Sequence, residues 1–535
     1  MASKSKVARQ KQATSAKKIN FYLIAIPVFA FFIKLIIMAN IKGTDGAMLG
    51  GWLGADGENY LSGVDGLLQQ GYFSDKSILS YWPAGYPILI WILTKISLAH
   101  VIYLISFTQS IFYAYASYYF VKQLRGTKLQ PFMFLIGIAL AFNPTLSLSS
   151  LAVGYESPIA ACMLMVVGLI MKSRQSSHDR QFILRIVAVG FFSALASFMQ
   201  PRWVLTSIVI AIVWAIMAQG RKAQALILIG VVAIMAIAPA IMIQRNVKSI
   251  DKAVISTNLG VTMRLGAGDE TQGGYAHTGP DVPCDPVPPA TTVSDNEVVK
   301  CVVKWYVSHP AKSIRLFINK GWFYWSPWSG PLGNGTMARN PWLKINPIVN
   351  IAKGSQSGND LVYKSVGRGI SFFWVIGCIS LFFIGFFWLR SMKGIYANLA
   401  YASFIPVVIS WLVAMGTIGD HRFRIPTMSL SVFLQVMGYF ALRHRVKTGS
   451  FAVALESGAQ ARQPTRLTHQ LFVRRSPMGR GRAKAKQTKV ARDLKYNSQE
   501  MDLDRLAKEL HGDVPNQQNQ DDDDPFAEGN YIPRA

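Results

Sequence analysis

Three carboxylates and five arginines stand where an apolar chain has little reason to keep them. Asp56 and Glu58 sit two apart in "GADGENY", just after the first long apolar run, and Tyr60 opens the next apolar stretch. Glu156 begins another such run in "YESP". The arginines fall at run ends: Arg202 in "MQPRW", Arg245 in "IQRN", Arg264 in "TMRLG", and Arg422 and Arg424 behind His421 in "GDHRFRIP". Ionisable groups hugging the ends of apolar spans are costly, which makes them functional candidates. A carboxylate can take the proton of an attacking hydroxyl. The planar guanidinium fork suits phosphate or pyrophosphate oxygens. The simpler reading, that each arginine snorkels to headgroups or pairs with an acid, weakens when five share a face.

Whether they share a face is a question of topology. Of 535 residues 51% are hydrophobic and 16% charged, and the mean hydropathy is +0.26. This profile excludes an ordinary soluble enzyme. Ten apolar runs approach the ~20 residues that a ~30 Å hydrocarbon core demands: 20–40, 100–121, 130–147, 155–171, 184–199, 203–219, 223–243, 369–389, 395–415 and 426–442. The shorter "AGYPILIWILTKIS", 84–97, reads as an interfacial or re-entrant helix, with a full span as the alternative. The expected fold is therefore an all-α polytopic membrane protein.

The first run lacks a small-residue cleavage site and reads as a signal anchor. Lys4, Lys6, Arg9, Lys11, Lys17 and Lys18 precede it with no acid, so the basic segment 1–19 is expected in the cytoplasm. Alternation then puts Lys122, Arg125 and Lys128 inside, followed by Lys172, Arg174, Arg180 and Arg185, then Arg221 with Lys222, then Arg390 with Lys393. The membrane body spans 20–442, with a first outer loop at 41–99 and a long outer loop at 244–368. All the candidate acids and arginines fall on its extracytoplasmic side. The short arginine-bearing outer turns break the positive-inside bias locally, which sets them apart from the inside loops.

Cys284 and Cys301 lie in the long outer loop, where an oxidising compartment favours a disulfide between them. Cys162 and Cys378 fall inside spans, as small apolar fillers. The same loop carries two amphipathic patterns broken at Pro310, expected to lie on the membrane with Trp322, Trp325 and Trp328 at headgroup level. The tail, 443–535, holds ten Lys/Arg and no acid over 462–492, then "DDDD" at 521–524. Such composition predicts disorder. Without interleaved aromatics for base stacking, the basic stretch suits the anionic inner leaflet and not a nucleic acid.

The order of these motifs resembles the integral-membrane glycosyltransferases of the GT-C superfamily, the group of protein O-mannosyltransferases and aminoarabinose transferases (glycosyltransferase family 39-like). The matching pieces are "ADGENY" after span one, "YWPAGYPIL", "YESP" at the start of span four, "QPRW", "IQRNVKSIDKAVISTNLGVTMRLG" and "RFRIP" before the last span. The likeness covers roughly 20–442 and leaves the tail aside. It implies transfer of a sugar from a polyprenyl-phosphate donor to an extracytoplasmic acceptor, a glycan, lipid or protein, with inversion. Asp56, Glu58 and Glu156 would be the catalytic acids. Tyr60, Arg202, Arg245, Arg264, His421, Arg422 and Arg424 would bind substrate. Many relatives carry an adjacent Asp-Glu pair in the first outer loop, whereas Gly57 separates the two here, so the base stays open between Asp56 and Glu58. Relatives often carry Asp where this chain has Glu156.

No Walker loop or dinucleotide fingerprint is present. A lipid-phosphate sugar needs neither, since no nucleotide sugar reaches the outer face. The chemistry requires no cofactor, although the carboxylates also suit a divalent cation. A multi-span transporter or a flippase for lipid-linked glycans is the alternative. It would show mid-span polar residues and two related halves, but here the charges cluster at span ends and the halves do not match.

Overall fold

The computed structural model describes residues 21–43, 46, 48–171, 180–268, 271–274, 282, 284, 294–327, 353–357, 360–363 and 365–448. The chain divides into Met1–Val453 and Ala454–Ala535, and every described residue belongs to the first unit. The basic N-terminus, Lys172 and Arg174, Trp328 and the tail from 449 lie outside the described residues.

The protein is an all-α polytopic membrane protein. A helix covers each of the ten apolar runs: α1 (Phe21–Met38), α5 (Val101–Gln123), α6 (Met133–Ala141) with α7 (Pro144–Ser149), α8 (Glu156–Met171), α9 (Arg180–Met199), α10 (Trp203–Met217), α11 (Arg221–Ile250), α15 (Ser365–Ser391), α16 (Gly394–Gly416) and α17 (Ile425–Thr448). Between the first and second runs lie α2 (Gly54–Gln70), α3 (Ile78–Tyr81) and α4 (Gly85–Thr94). The 130–147 run is not one helix. Asn143 leaves helical geometry and its side chain accepts the Leu146 N–H at 3.1 Å, while Pro144 takes the first helical position. Asn at an N-cap followed by Pro starts a new helix in place of continuing the old one.

Helix α8 is the hub. All sixteen of its residues are buried, as expected of a helix apolar on every side. It packs against α5, α9, α16 and α17. Lipid-facing side chains sit on the periphery, such as Phe29 and Ile36 of α1 and Ile229 of α11. Helix α11 has 30 residues, about 45 Å at 1.5 Å per residue. That exceeds the ~30 Å hydrocarbon core, so it carries its last turns beyond the membrane.

The long loop holds α12 (Leu259–Leu265), α13 (Asp295–Ser308), α14 (Pro310–Trp325) and a short antiparallel hairpin, β1 (Lys353–Ser357) with β2 (Asp360–Tyr363). Ser294 and Glu297 form a reciprocal capping box at the start of α13, and Pro310 opens α14 where its missing N–H costs nothing. Cys284 and Cys301 are joined in a disulfide, around which Val282, Val298, Val302, Trp305 and Leu316 form a separate small core. Trp325 is not a headgroup anchor. It is fully buried against Trp411 and Phe382, whereas Trp322 stacks on Phe372.

Helices α15 and α17 touch backbone to backbone. A Cβ built on Gly385 would lie 1.9 Å from the Leu434 carbonyl oxygen, and one on Gly438 would lie 2.1 Å from that of Leu381. Small residues at such crossings let membrane helices approach closely.

Candidate active site

A short strap between segments distant in sequence creates the site. The Trp52 N–H donates to the Leu151 carbonyl at 2.9 Å, and the Val153 N–H donates to the Trp52 carbonyl at 2.8 Å. This parallel bridge holds the entry to α2 against the entry to α8, and so brings Asp56 and Glu156, one in the first turn of each helix, to one place. First turns favour carboxylates, because the helix dipole presents its positive end there.

Arg422 joins them. Its Nη2 pairs with Asp56 Oδ2, and its Nε donates to Glu156 Oε1 at 2.7 Å. The Glu156 side chain is 4% exposed and that of Asp56 23%, so a solvent-borne hydroxyl can reach the aspartate but hardly the glutamate. Arg422 is itself set by the turn before α17. Asp420 accepts the Arg422 N–H at 3.0 Å, and the buried His421 puts Nδ1 3.2 Å from the same carboxylate.

Glu58 does not join the pair. It is exposed, and residues two apart on a helix do not share a face. The structure thereby separates the two acids that sequence spacing left equivalent. Tyr60 is buried, its ring centroid 5.0 Å from both Trp82 and Tyr86 and 6.3 Å from Tyr155. It therefore anchors α2 under the carboxylates. Gln109 extends this layer, donating to Tyr86 Oη at 3.1 Å and to the Ala152 carbonyl at 3.3 Å.

Arg202 stands beside the ion pairs among aromatic faces. Its guanidinium carbon is 4.7 Å from the Phe423 ring centre, 5.7 Å from that of Tyr155 and 5.8 Å from that of Trp203. Its Nε and Nη2 are buried and have no hydrogen-bond partner among the described residues. Arg422 lies 5.8 Å from the same Phe423 ring, so one phenylalanine separates two guanidinium groups. Buried donors left unpaired cost stability unless something accepts from them.

The remaining arginines go elsewhere. Arg245 donates to the Leu79 carbonyl at 3.3 Å, to Asn246 Oδ1 at 2.7 Å and to the Ser74 carbonyl, which fastens the segment before α4 onto α11. Arg264 donates Nε to the Cys284 carbonyl at 2.7 Å, within the disulfide unit. Extended geometry would put Arg422 and Arg424 on one side, but His421–Arg424 is a 3-10 turn. Arg424 accordingly faces away from the carboxylates. It is 4% exposed, donates to the Trp325 carbonyl at 3.1 Å and leaves Nε without a partner among the described residues.

Sequence reasoning passes over Tyr86, Gln109, Tyr155 and Asp420, although an acid two residues before an arginine in "GDHRF" is an Asx-type turn signal. It also passes over Lys320, which is fully buried and donates Nζ to Tyr306 Oη at 2.7 Å and to the Thr417 carbonyl at 2.6 Å. That contact ties α14 to the strand of chain leading into the Arg422 turn. Burial brings the Lys320 ammonium down to about 7. Asp56 and Glu156, the carboxylates best placed for a divalent cation, are both engaged by Arg422. Among the described residues no cluster of three or more His, Cys, Asp or Glu could hold a metal.

Residues 479–531 match a family described as a protein of unknown function, DUF3073. No curated protein matches the chain. Among solved structures, the archaeal oligosaccharyltransferase AglB from Archaeoglobus fulgidus, in complex with an inhibitory peptide and a dolichol-phosphate, is similar over 87% of this chain and 53% of its own, at 11% identity and a TM-score of 0.44. The apo form of the Archaeoglobus fulgidus oligosaccharyltransferase gives 86% and 53%, 11% and 0.44. Its form tethered to an acceptor peptide containing the NVT sequon gives 80% and 51%, 12% and 0.42. This chain thus spans about half the length of those it matches.

Proposed function

We propose that this protein is a membrane glycosyltransferase working at the extracytoplasmic face, moving a sugar from a polyprenyl-phosphate carrier to an acceptor hydroxyl with inversion. The observation that carries the reading is the Asp56–Arg422–Glu156 cluster with Arg202 beside it, whose Nε and Nη2 have no hydrogen-bond partner among the described residues. The cluster supplies, within one site, a reachable carboxylate and a guanidinium group with donors to spare.

Asp56 is the base. The acceptor oxygen attacks the anomeric carbon as the bond from that carbon to the phosphate oxygen breaks. The carrier phosphate leaves with the bonding electrons, and the acceptor proton passes to the Asp56 carboxylate. Glu156, nearly sealed from solvent, holds Arg422 in register. Arg422 in turn orients Asp56. Arg202 donates to the departing phosphate, where preorganised donors act most strongly because charge develops there. The disulfide supports an extracytoplasmic location for this face, since such bonds persist in oxidising compartments.

Asp56→Asn keeps the shape and removes the basicity. With purified protein and a polyprenyl-phosphate sugar, sugar loss from the lipid is expected to slow by about 100-fold or more, while Glu58→Gln stays near wild type. Near-normal turnover in Asp56→Asn would remove Asp56 from the chemistry.

A further inference from the structure

The segment 417–420 leaves α16 and enters the turn that presents Arg422, yet it belongs to no helix or strand. Its backbone groups need partners from elsewhere, and the long outer loop supplies them. The Gly419 N–H donates to the Gly273 carbonyl at 3.0 Å. The Thr417 carbonyl accepts from Lys320 Nζ at 2.6 Å. The same ammonium donates to Tyr306 Oη at 2.7 Å, and that hydroxyl donates on to the Gly266 carbonyl at 3.3 Å. The approach leaves no room for a side chain. A Cβ on Gly266 would overlap the Thr417 carbonyl oxygen, and one on Gly419 would overlap the Lys320 backbone.

Lys320 is fully buried. A methionine would fill the same space with no charge to desolvate, so packing does not account for the amine. The carbonyl it reaches does. Its partners are braced from behind: Ser313 Oγ donates to the Tyr306 carbonyl at 2.8 Å, Arg264 Nε donates to the Cys284 carbonyl at 2.7 Å, and the disulfide ties Cys284 to Cys301 of α13. Lys320 thus joins a unit with its own core to the chain just ahead of Asp420, whose carboxylate accepts the Arg422 N–H.

We infer that Lys320 is a positioning residue for the active site, fixing from outside the cluster the turn that aims Arg422 at Asp56 and Glu156. Its effect on turnover rests on the proposed function; its effect on the turn does not. Releasing the Thr417 carbonyl frees the start of the turn, and a misplacement of about 1 Å is enough to slow a reaction strongly. The far end stays tied, since Ser410 Oγ donates to the Phe423 carbonyl at 3.0 Å. Phe423 is the ring beside Arg202, so donor binding is expected to suffer less than turnover.

Lys320→Met keeps the volume and removes the donor. Tyr306→Phe is the milder companion, and it carries the test where Lys320→Met does not fold. Ser294→Ala breaks the capping box at the end of α13 opposite Tyr306, and controls for general loosening of the outer unit. Full-length protein in nanodiscs would be followed by hydrogen–deuterium exchange, with sugar release from a polyprenyl-phosphate sugar measured in parallel. In Lys320→Met, peptides covering 417–424 are expected to exchange about tenfold faster while α13 keeps its wild-type rate. There kcat is expected to fall about tenfold, with donor KM within about twofold of wild type. Tyr306→Phe is expected to move exchange and kcat the same way by less, and Ser294→Ala to leave both 417–424 and kcat at wild type. Wild-type exchange at 417–424 in every folded variant of Lys320 and Tyr306 overturns the positioning role, whatever the turnover. Faster exchange spread evenly through α13 and α14 also overturns it, making Lys320 a general stabiliser of the outer unit. An unchanged kcat beside a loosened turn overturns it as well. Faster exchange confined to 417–424, in a protein that releases sugar from no lipid-phosphate donor, upholds the hold of Lys320 on the turn and removes the glycosyltransferase reading.

Discussion

Lys320 lies outside the membrane spans, and burial moves its chemistry far from the ordinary state of a lysine. Its ammonium falls from 10.5 to about 7 because burial penalises the charge. Above pH 7 the folded protein keeps this amine neutral while the unfolded chain still protonates it. The unfolded state therefore binds more protons between about 7 and 10.5, and stability rises with pH across that window. Below pH 7 the burial penalty is present in full. Lys320→Met removes the titration along with the hydrogen bonds to Tyr306 and Thr417. The wild-type thermal midpoint is expected to climb between pH 7 and pH 10, and the variant is expected to lose most of that slope. Parallel slopes would show that Lys320 stays charged. The acids of the site follow another logic. Asp56 and Glu156 share one guanidinium, and their unequal exposure, not their residue types, is what distinguishes them in the proposed mechanism.

Among the elements, α15 and α17 make the sharpest claim, because their crossing leaves no room for a methyl group at Gly385 or Gly438. Gly385→Ala must push one backbone off the other, at a cost of about 1–3 kcal/mol. Gly416→Ala, where nothing lies within 4 Å, is expected to be neutral or slightly stabilising. Thermal unfolding in detergent separates the two outcomes. Elements of this kind are largely legible in the sequence, since apolar runs bounded by charge must become helices where no water can satisfy the backbone. The break at Asn143–Pro144 is carried by cap chemistry inside an apolar run, where hydropathy alone does not see it. The disulfide and the helix break at Pro310 are legible for similarly local reasons. The site is half legible. Residue types and the predicted side mark Asp56, Glu156, Arg202 and Arg422, but the strap at Trp52 and the 3-10 turn at His421 decide which of them meet, and both are tertiary facts. Arg245 and Arg264 carry the same local signal and serve the scaffold, which no motif could reveal.

At the scale of the whole described molecule, Asp56 keeps 23% of its side chain open to water, while Phe373 and Trp374 of α15 form part of an exposed, lipid-facing rim. A donor of the kind proposed would arrive from that lipid side, and this changes what concentration means. A lipid-linked donor never leaves the bilayer, so its search is two-dimensional and its effective abundance is a mole fraction of lipid, not a molarity. Adding inert phospholipid at fixed protein and fixed donor per volume is therefore expected to slow transfer in proportion to the added membrane, although no bulk concentration has changed. Loading the same donor at constant surface density while diluting the vesicles is expected to leave turnover per enzyme unaltered. A rate that instead follows bulk concentration would mean the carrier arrives through water, and the lipid-facing rim would then be a wall with no traffic across it.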